Sequence, residues 1–488
     1  MPAAHFPSMT PRLRAILLAT LVSAFALWTA ADIADESYLL ASCAGCAVVW
    51  LLIEWLGGAF PDAWLLGAVV AGYVIGNRGF AQFSPTTRLP LLPAEVALAA
   101  SGAALVVRAA LRRTAAVRRD LLDYSLLAWI ALGLARMPLD VRRFGALAIR
   151  DFAMVYYAGF FFVAQSLGSH EASARLLRRA FTAAFATLPI VSVANRLAPG
   201  AVQSLTWHGI PLIFHKSDIT AAGLGAGTFW FWALYESTGR RRWLIPAAAS
   251  IPLLVTLDSP RAAMVAVAVV TLAWLAARRW RLALFQAGVG AAAFAAAVAF
   301  VFWSGRSIRE TASYATYERV VSIIDWSGTG SYTNPESASV GDNNRFRVVW
   351  WGAVARETLD GGPWFGLGFG ADLASQFLVE YELIEAQDFT ARSPHSMIMS
   401  VFGRMGAAGI VLWLLVTAGM ARQSFRAFTR RDYYAMGLWS VSWVYWISGC
   451  FGIVLEGPMG AVVFWTATGL AASGLPIARE AALKTEAS

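Results

Sequence analysis

Histidine is scarce in this chain of 488 residues, and one of its five histidines stands where it could act as a base. His395 lies in the sequence ARSPHSMIMSVFGRMG, after a long polar stretch and directly before an apolar one. Pro394 marks the start of the helix that the apolar residues predict. Free imidazole titrates at about pH 6.5, so His395 is a candidate to take a proton from an acceptor hydroxyl. A role as an interfacial anchor is the alternative.

Arginines near the same polar stretch could bind an anionic group. Arg261 follows the sequence DSP and opens an apolar segment, while Arg345 and Arg347 stand at the start of a predicted amphipathic helix. Arg392 lies three residues before His395. Guanidinium groups bind phosphate through two hydrogen bonds and stay charged beside lipid, so these residues predict a phosphate-bearing ligand. A capping or snorkelling role for Arg261, and a solvated helix face for Arg345 and Arg347, are the alternatives.

Two further polar residues are candidates for binding a substrate. Arg404 comes nine residues after His395, which is about 13 Å farther along a helix. An ionisable side chain at that depth in an apolar helix marks a candidate functional residue, and we expect it to pair with Glu456 or another acid within the membrane. His215 precedes an apolar segment, where it could line the acceptor site or belong to an interfacial aromatic belt.

The elements that must position these residues are membrane-spanning helices. Hydrophobic residues make up 58% of the chain and charged residues only 14%, against about 25% charged residues in soluble domains. This composition excludes a disordered, coiled-coil or soluble α/β protein, and apolar runs of about 20 residues indicate helical spans. The apolar segments are residues 15–32, 38–57, 60–76, 92–110, 120–136, 145–166, 178–196, 218–236, 243–258, 259–276, 282–303, 396–420, 435–455 and 458–475.

The arginines that give the net charge of +9 also predict the orientation of these segments. With the N-terminus inside, the positive-inside rule is met by arginine clusters at residues 108–119, 175–179, 240–242, 278–281 and 422–431. Arg142 and Arg143 are the exception, since they fall on the outer side; either a span is miscounted or they have a function there. The expected fold is an all-α polytopic membrane protein with about 12–14 transmembrane helices.

One long, partly helical periplasmic loop, residues 304–394, interrupts this pattern. Its acidic residues outnumber its arginines and it contains no lysine, which places it on the outer side. Loops of this length are usually functional or disordered, and the many aromatic residues favour an ordered outer subdomain.

Several short motifs follow one another in a characteristic order along residues 215–475. They are Ser-Pro-Arg at 259–261, Arg-Val-Val-Trp-Trp from Arg347, PWFGLGFG at 363–370, and Arg-Ser-Pro-His ending at His395, followed by Gly406 and Gly409. In this order they resemble the O-antigen ligase and polysaccharide polymerase superfamily, membrane glycosyltransferases with a Wzy-type C-terminal domain and a GT-C-like fold. Ser396 and Arg404 depart from the commoner pattern, in which asparagine follows the histidine and an acidic residue replaces the arginine.

The resemblance implies transfer of a glycan from undecaprenyl pyrophosphate to an acceptor hydroxyl, at the periplasmic face of the bacterial inner membrane and without a metal or another cofactor. It implies that Arg261 and Arg347 bind the pyrophosphate and that His395 activates the acceptor. Arg345, Arg392, Arg404 and His215 complete the predicted substrate-binding set.

The domains and partners follow from the same reading of the sequence. We expect N-terminal transmembrane helices in residues 1–214, the ligase-like region with its loop in residues 215–475, and a cytoplasmic tail in residues 476–488. The expected partners are the lipid-linked glycan donor, a glycan or lipid A-core acceptor and membrane lipid, and no nucleic acid.

Two other functions stay open. A metal-dependent glycosyltransferase would use acids of the first outer loop, Asp32, Asp35 and Glu36. A flippase or transporter of lipid-linked glycans would hold the pyrophosphate with the same arginines. Within the leading hypothesis, a ligase, a polymerase and a protein O-glycosylase differ only in the acceptor, which depends on the shape of the pocket.

Overall fold

A computed structural model describes most of the chain from residue 59 onward. The described residues are 59–83, 92–110, 117–207, 209–256, 261–305, 335–380 and 392–474, with single positions at 45, 307, 314, 317, 318 and 321. The first two predicted spans, residues 15–32 and 38–57, and the predicted tail lie outside the described ranges.

The first half of the described chain is a series of helices that ends in a two-stranded hairpin. The helices are α1 Pro61–Gly76, α2 Arg78–Ala81, α3 Pro93–Ala110, α4 Leu121–Phe144, α5 Ala146–Asp151, α6 Ala153–Tyr156, α7 Gly159–Gly168, α8 Glu171–Leu197 and α9 Pro199–Gln203. Strands β1 Thr206–Trp207 and β2 Ile210–Pro211 then pair antiparallel.

The second half is mainly helical over its described residues, with loops at residues 362–374, 392–396 and 451–457. The helices are α10 Ser217–Thr238, α11 Leu244–Thr256, α12 Arg261–Ala276, α13 Trp280–Ser304, α14 Pro335–Gly361, α15 Ser375–Glu380, α16 Met397–Arg430, α17 Tyr433–Cys450 and α18 Pro458–Ala472, with a 3₁₀ turn at Arg241–Trp243. Among the described residues, each apolar segment predicted from residue 60 onward is helical over most of its length, because a helix satisfies its backbone hydrogen bonds within itself. Segment 435–455 differs most at its end, since the helix stops at Cys450.

The helices identify an all-α, multi-pass membrane protein. Six helical segments of the described residues are long and apolar enough to cross a membrane: Pro93–Ala110, Leu121–Phe144, Ala146–Gly168, Glu171–Leu197, Trp280–Ser304 and Met397–Arg430. Helices α1, α12 and α18 are also apolar but shorter. The total of 12–14 spans stays a prediction.

Helix α10 lies at the centre of the bundle. Every residue from Ile219 to Leu234 is buried, as expected for a helix that is apolar on all sides. Small residues let its neighbours approach closely: a Cβ at Gly225 would lie 2.7 Å from Val267 of α12, and a Cβ at Gly437 of α17 would lie 2.7 Å from α10. Close approach at small residues is the usual way in which helices associate in a membrane.

Helices from both sides of residue 215 share one hydrophobic core. Trp230 of α10 donates a hydrogen bond from its indole Nε1 to Thr182 Oγ1 of α8 at 3.1 Å. A Cβ at Gly223 would lie 2.8 Å from Leu188 of α8. The described helices before and after the predicted boundary at residues 214 and 215 therefore pack together in one bundle.

One end of the bundle collects arginines. Arg118 donates from Nη1 to the carbonyl oxygen of Ala472, at the end of α18, at 3.1 Å. Arg178 lies over the ring of Tyr434, at the start of α17, at 5.2 Å from the ring centroid. Arginines of different predicted clusters thus meet at one end, which agrees with their predicted grouping. The opposite end holds the start of α10, the start of α16 and the end of α17, and we call it the His395 end.

Candidate functional site

The residues around His395 hold its backbone in a defined position. The φ angle of His395 is 53°, in the left-handed region that few residues other than glycine adopt, although histidine does so more often than most. The next residue, Ser396, caps α16: its Oγ accepts a hydrogen bond from the Met399 amide at 3.4 Å and donates one to the carbonyl oxygen of Cys450 at 2.8 Å. Ser396 thus ties the start of α16 to the end of α17.

Two tryptophans of α14 support the histidine from another side. Trp351 donates from Nε1 to the carbonyl oxygen of Pro394 at 2.7 Å. The ring of Trp350, which is fully buried, has its centroid 5.8 Å from that of the His395 imidazole. The tryptophans of the RVVWW motif and the histidine of the RSPH motif, far apart in sequence, therefore meet in space.

Arg347 lies one helical turn before these tryptophans, on the same side of α14. Its half-buried guanidinium donates from Nη1 to the carbonyl oxygen of Phe451 at 3.3 Å. Its Nε is buried and has no hydrogen-bond partner among the residues that the structure describes. Burial lowers the pKa of the Arg347 guanidinium, and the nearby carboxylate of Asp218 opposes that change. A cation with an unused N–H group is suited to bind an anionic ligand.

Helix α10 brings a lysine and an aspartate to the same place. Lys216 directly precedes the first residue of α10, and its Nζ lies 3.3 Å from Oδ2 of Asp218. Both charges are close enough to act on the pKa of the His395 imidazole. An anionic ligand could therefore compete with the Asp218 carboxylate for the Lys216 amine.

Glu456 lies in the loop between α17 and α18. Its Oε1 accepts a hydrogen bond from Ser400 Oγ of α16 at 2.6 Å, and Ser393 Oγ lies 3.2 Å from the same hydroxyl. The carboxylate of Glu456 also acts on His395. The residues on both sides of the histidine are therefore fastened to this loop.

We call His395, Arg347, Lys216, Asp218 and Glu456 the His395 cluster. Burial lowers the pKa of His395, and the positive charges of Arg347 and Lys216 lower it further, while the carboxylates of Glu456 and Asp218 oppose them. The net effect is a pKa below that of free imidazole, so His395 gives up its proton more readily. An uncharged imidazole can accept a proton from an acceptor hydroxyl. The cations beside it can at the same time bind an anionic group of a second substrate.

Helix α16 is interrupted beneath this cluster. Gly406 has φ 62° and ψ −156°, which breaks the helical hydrogen bonds. The Gly-rich segment, residues 363–370, replaces them: the Leu367 amide donates to the Gly403 carbonyl at 2.7 Å, and the Ala407 amide donates to the Pro363 carbonyl at 2.8 Å. Broken helices are tolerated in membranes where protein satisfies the freed backbone groups. The PWFGLGFG motif therefore serves as the partner of a broken helix.

Glycine is required where α16 and the Gly-rich segment approach each other closely. Gly366 has φ 75°, and a Cβ there would overlap the backbone of Arg404. A Cβ at Gly406 would lie 2.5 Å from the Gly366 nitrogen. Both positions combine a positive φ with backbone-to-backbone contact, which glycine alone accommodates.

Arg404 lies in a buried ion pair that holds the Gly-rich segment. Its Nη2 is 3.1 Å from Oδ2 of Asp151, and the two side chains are 4% and 8% exposed. The same Asp151 oxygen accepts a hydrogen bond from the Gly370 amide at 3.2 Å. Arg404 therefore pairs with Asp151 and not with Glu456, the partner that the sequence analysis named first; Glu456 belongs to the His395 cluster. No contact among the described residues joins Arg404 to that cluster, so its predicted substrate contact stays a prediction.

Arg392 contacts the same segment. It donates from Nη2 to the carbonyl oxygen of Gly370 at 2.6 Å, and its buried Nε has no partner among the described residues. Asp140 of α4 accepts a hydrogen bond from the Phe369 amide at 2.9 Å and pairs with Arg136 at 3.4 Å. The Gly-rich segment is therefore contacted by charged side chains from α4, from α5 and from the residues just before His395.

His215 contacts the body of the bundle. Its Nε2 lies 2.9 Å from the carbonyl oxygen of Ile75, so this nitrogen carries the proton, and burial lowers the pKa of its imidazole. The structure thus places His215 against the end of α1 and places its neighbour Lys216 in the His395 cluster.

Arg261 begins α12 at the His395 end. Helix α12 meets α10 where Val267 faces Gly225. From that contact, Arg261 is about 9 Å back along α12 and Ser217 is about 12 Å back along α10, at 1.5 Å per residue. The start of α12 and the start of α10 therefore lie at the same level of the bundle.

The side chains of the remaining predicted residues are not among those that the structure describes. Arg345 belongs to α14, but its side chain is not among the described ones, and neither are Asp32, Asp35 and Glu36. Within the described residues, no group of three or more His, Cys, Asp or Glu side chains is arranged to hold a metal ion.

The fold and site define a class, that of multi-pass helical membrane proteins with a charged, half-buried cluster at one end of the bundle. No protein-family model matches this chain, and no curated protein matches it significantly. Its function is therefore inferred from the His395 cluster itself.

Sequence reasoning did not assign Lys216, Asp218 or Glu456 to the site. Two signals were available: Lys216 is one of only two lysines in the chain, and Glu456 is the single acid between positions 433 and 479. Neither signal says what these side chains face, since their partners lie in distant parts of the sequence.

Proposed function

We propose that this protein is a bacterial inner-membrane glycosyltransferase. It transfers a glycan from undecaprenyl pyrophosphate to an acceptor hydroxyl at the periplasmic face. The observation that supports this most directly is that the His395 imidazole, whose pKa is lowered by burial and by nearby positive charges, lies close to the cations of Arg347 and Lys216. A general base and an anion-binding group at one place are the two things that such a transfer requires.

The reaction assigns a role to each group. The acceptor oxygen attacks the anomeric carbon of the donor while His395 takes the hydroxyl proton. The bond between the anomeric carbon and the pyrophosphate oxygen breaks, and undecaprenyl pyrophosphate leaves with the bonding electrons. Arg347 and Lys216, with Arg261 at the same level of the bundle, stabilise the charge that accumulates on the phosphate oxygens. Attack opposite to the leaving group inverts the anomeric configuration, which the product's linkage tests.

The acids of the cluster support the proton transfer. In the resting protein Asp218 pairs with Lys216 at 3.3 Å. When the diphosphate binds, it competes for Lys216, and the added negative charge raises the pKa of His395. Glu456, which Ser400 fixes by a hydrogen bond of 2.6 Å, then stabilises the imidazolium that forms.

The first experiment tests the activity in the cell. The gene is deleted, and lipopolysaccharide and exopolysaccharide are separated on gels. Loss of long chains from the lipid A-core, with long lipid-linked chains retained, indicates a ligase. Products with a single repeat indicate a polymerase. An unchanged glycan profile would contradict the proposed function.

The second experiment tests the chemistry. His395→Gln is expected to lower the transfer rate about 10²–10⁴-fold, the usual contribution of a general base. His170→Gln is the matched control, because His170 lies at the arginine-rich end, where its Nδ1 caps α8 by accepting a hydrogen bond from the Ser173 amide at 3.4 Å. Full glycan output with His395→Gln would favour a transporter. Loss of activity on adding a chelator would favour the metal-dependent enzyme.

A further inference from the structure

Three exposed arginines lie in α4 and α5, on either side of the turn between these helices at the His395 end. Arg142 and Arg143 lie in the last turn of α4, and Arg150 lies in the last turn of α5. We call residues 139–150 the arginine elbow. The arginine clusters described above meet at the opposite end of the bundle, so these three are the exception that the sequence already marked.

The acids of this region are directed inward. Asp140, 4% exposed, accepts the Phe369 amide hydrogen bond, and Asp151 binds Arg404 and the Gly370 amide. Among the described residues, no carboxylate pairs with any of the three exposed arginines. The elbow therefore separates its charges, with the acids holding the Gly-rich segment and the arginines on the surface.

Exposed apolar side chains accompany these arginines, and Leu139 lies on the same side of α4 as Arg142 and Arg143, three and four residues later. Leu139 is 73% exposed and Ile149 is 54% exposed, and Val141 and Leu147 are exposed as well. A surface that combines arginines with aliphatic side chains at the end of a membrane helix matches the boundary between acyl chains and headgroups. Guanidinium groups at that level bind phosphate oxygens through paired hydrogen bonds.

We propose that the arginine elbow binds the phosphate headgroup of an anionic phospholipid in the leaflet at the His395 end. The three guanidinium groups contact the phosphate, and the aliphatic side chains contact the acyl chains. This site is separate from the His395 cluster, so the proposal does not depend on the glycosyltransferase function.

Site-specific photocrosslinking tests the proposal. A photoreactive amino acid replaces Leu139, and the full-length protein is placed in nanodiscs that contain phosphatidylcholine and a minority of phosphatidylglycerol with the same acyl chains. Mass spectrometry gives the fraction of crosslinked lipid that is phosphatidylglycerol. The matched control carries the same probe in place of Phe294, which is 61% exposed on α13.

We expect phosphatidylglycerol to be enriched over the bulk composition at position 139 and to equal the bulk composition at position 294. Each arginine near anionic lipid contributes about fivefold in binding. Changing Arg142, Arg143 and Arg150 to glutamine should remove the enrichment, while changing them to lysine should preserve most of it. Bulk composition at position 139 of the otherwise unchanged protein, or enrichment that survives the glutamine changes, would overturn the proposal.

Discussion

Gly406→Ala tests whether the interrupted helix α16 and the Gly-rich segment form one unit. Gly406 adopts φ 62° and ψ −156°, a region that residues with a Cβ avoid. An added Cβ would lie 2.5 Å from the Gly366 nitrogen and 2.6 Å from the Phe365 nitrogen. The backbone of one element or the other must therefore move.

The size of the effect follows from two contributions. A non-glycine residue in this region costs about 1–3 kcal/mol. Inserting a methyl group against packed backbone costs a further ~1–3 kcal/mol. We expect Gly406→Ala to lower the free energy of unfolding by about 2–6 kcal/mol in total. Because the displaced turn lies beneath His395, transfer activity should fall as well.

Equilibrium unfolding of the purified protein in detergent measures this change. Gly288→Ala is the control, since Gly288 lies within α13 and a Cβ there has no atom within 4 Å among the described residues. In a helix this control should be neutral or stabilise by up to about 1 kcal/mol. If Gly406→Ala is as stable as the control, the contact between α16 and the Gly-rich segment does not constrain the fold as argued.

Two further outcomes are expected. His395 must be uncharged to act as a base, so activity falls as pH drops through its pKa. Glu456→Gln removes a negative charge that raises this pKa, so the acid limb of kcat/KM should move to lower pH. Lys216→Gln removes a positive charge that lowers this pKa, so the acid limb should move to higher pH. Identical acid limbs in both variants would exclude His395 as the titrating group. Arg404→Met leaves the buried Asp151 carboxylate without its cation, so the free energy of unfolding should fall by about 3–5 kcal/mol. In a double-mutant cycle, adding Asp151→Asn to this variant should recover part of that loss.

The helices of this protein were predictable because they depend on local composition. A run such as residues 218–236 is apolar along its whole length, and the structure has helix at Ser217–Thr238. The grouping of arginines at one end was predictable for the same reason, since it depends on which ends of consecutive helices they occupy.

The role of the glycine motif was not predictable in this way. The sequence marked residues 363–370 only as a motif, yet in the structure they supply the hydrogen bonds that α16 loses at Gly406. Likewise, Arg404 could have paired with Glu456 or with Asp151, and only the packing of α5 against α16 and the Gly-rich segment selects Asp151. Such choices depend on contacts between distant residues.

The sequence by itself therefore determined that this chain is a helical membrane protein and that His395, Arg347 and Arg261 merit attention. It did so because hydrophobic runs and charge placement act residue by residue along the chain. Only the tertiary structure decided that the charges of Lys216, Asp218 and Glu456 lie close enough to act on His395. It also decided that Arg404 and Arg392 contact the partners or the backbone of the Gly-rich segment. The physical reason is that ion pairs and hydrogen bonds are short-range in space, so their partners are chosen by how the helices pack.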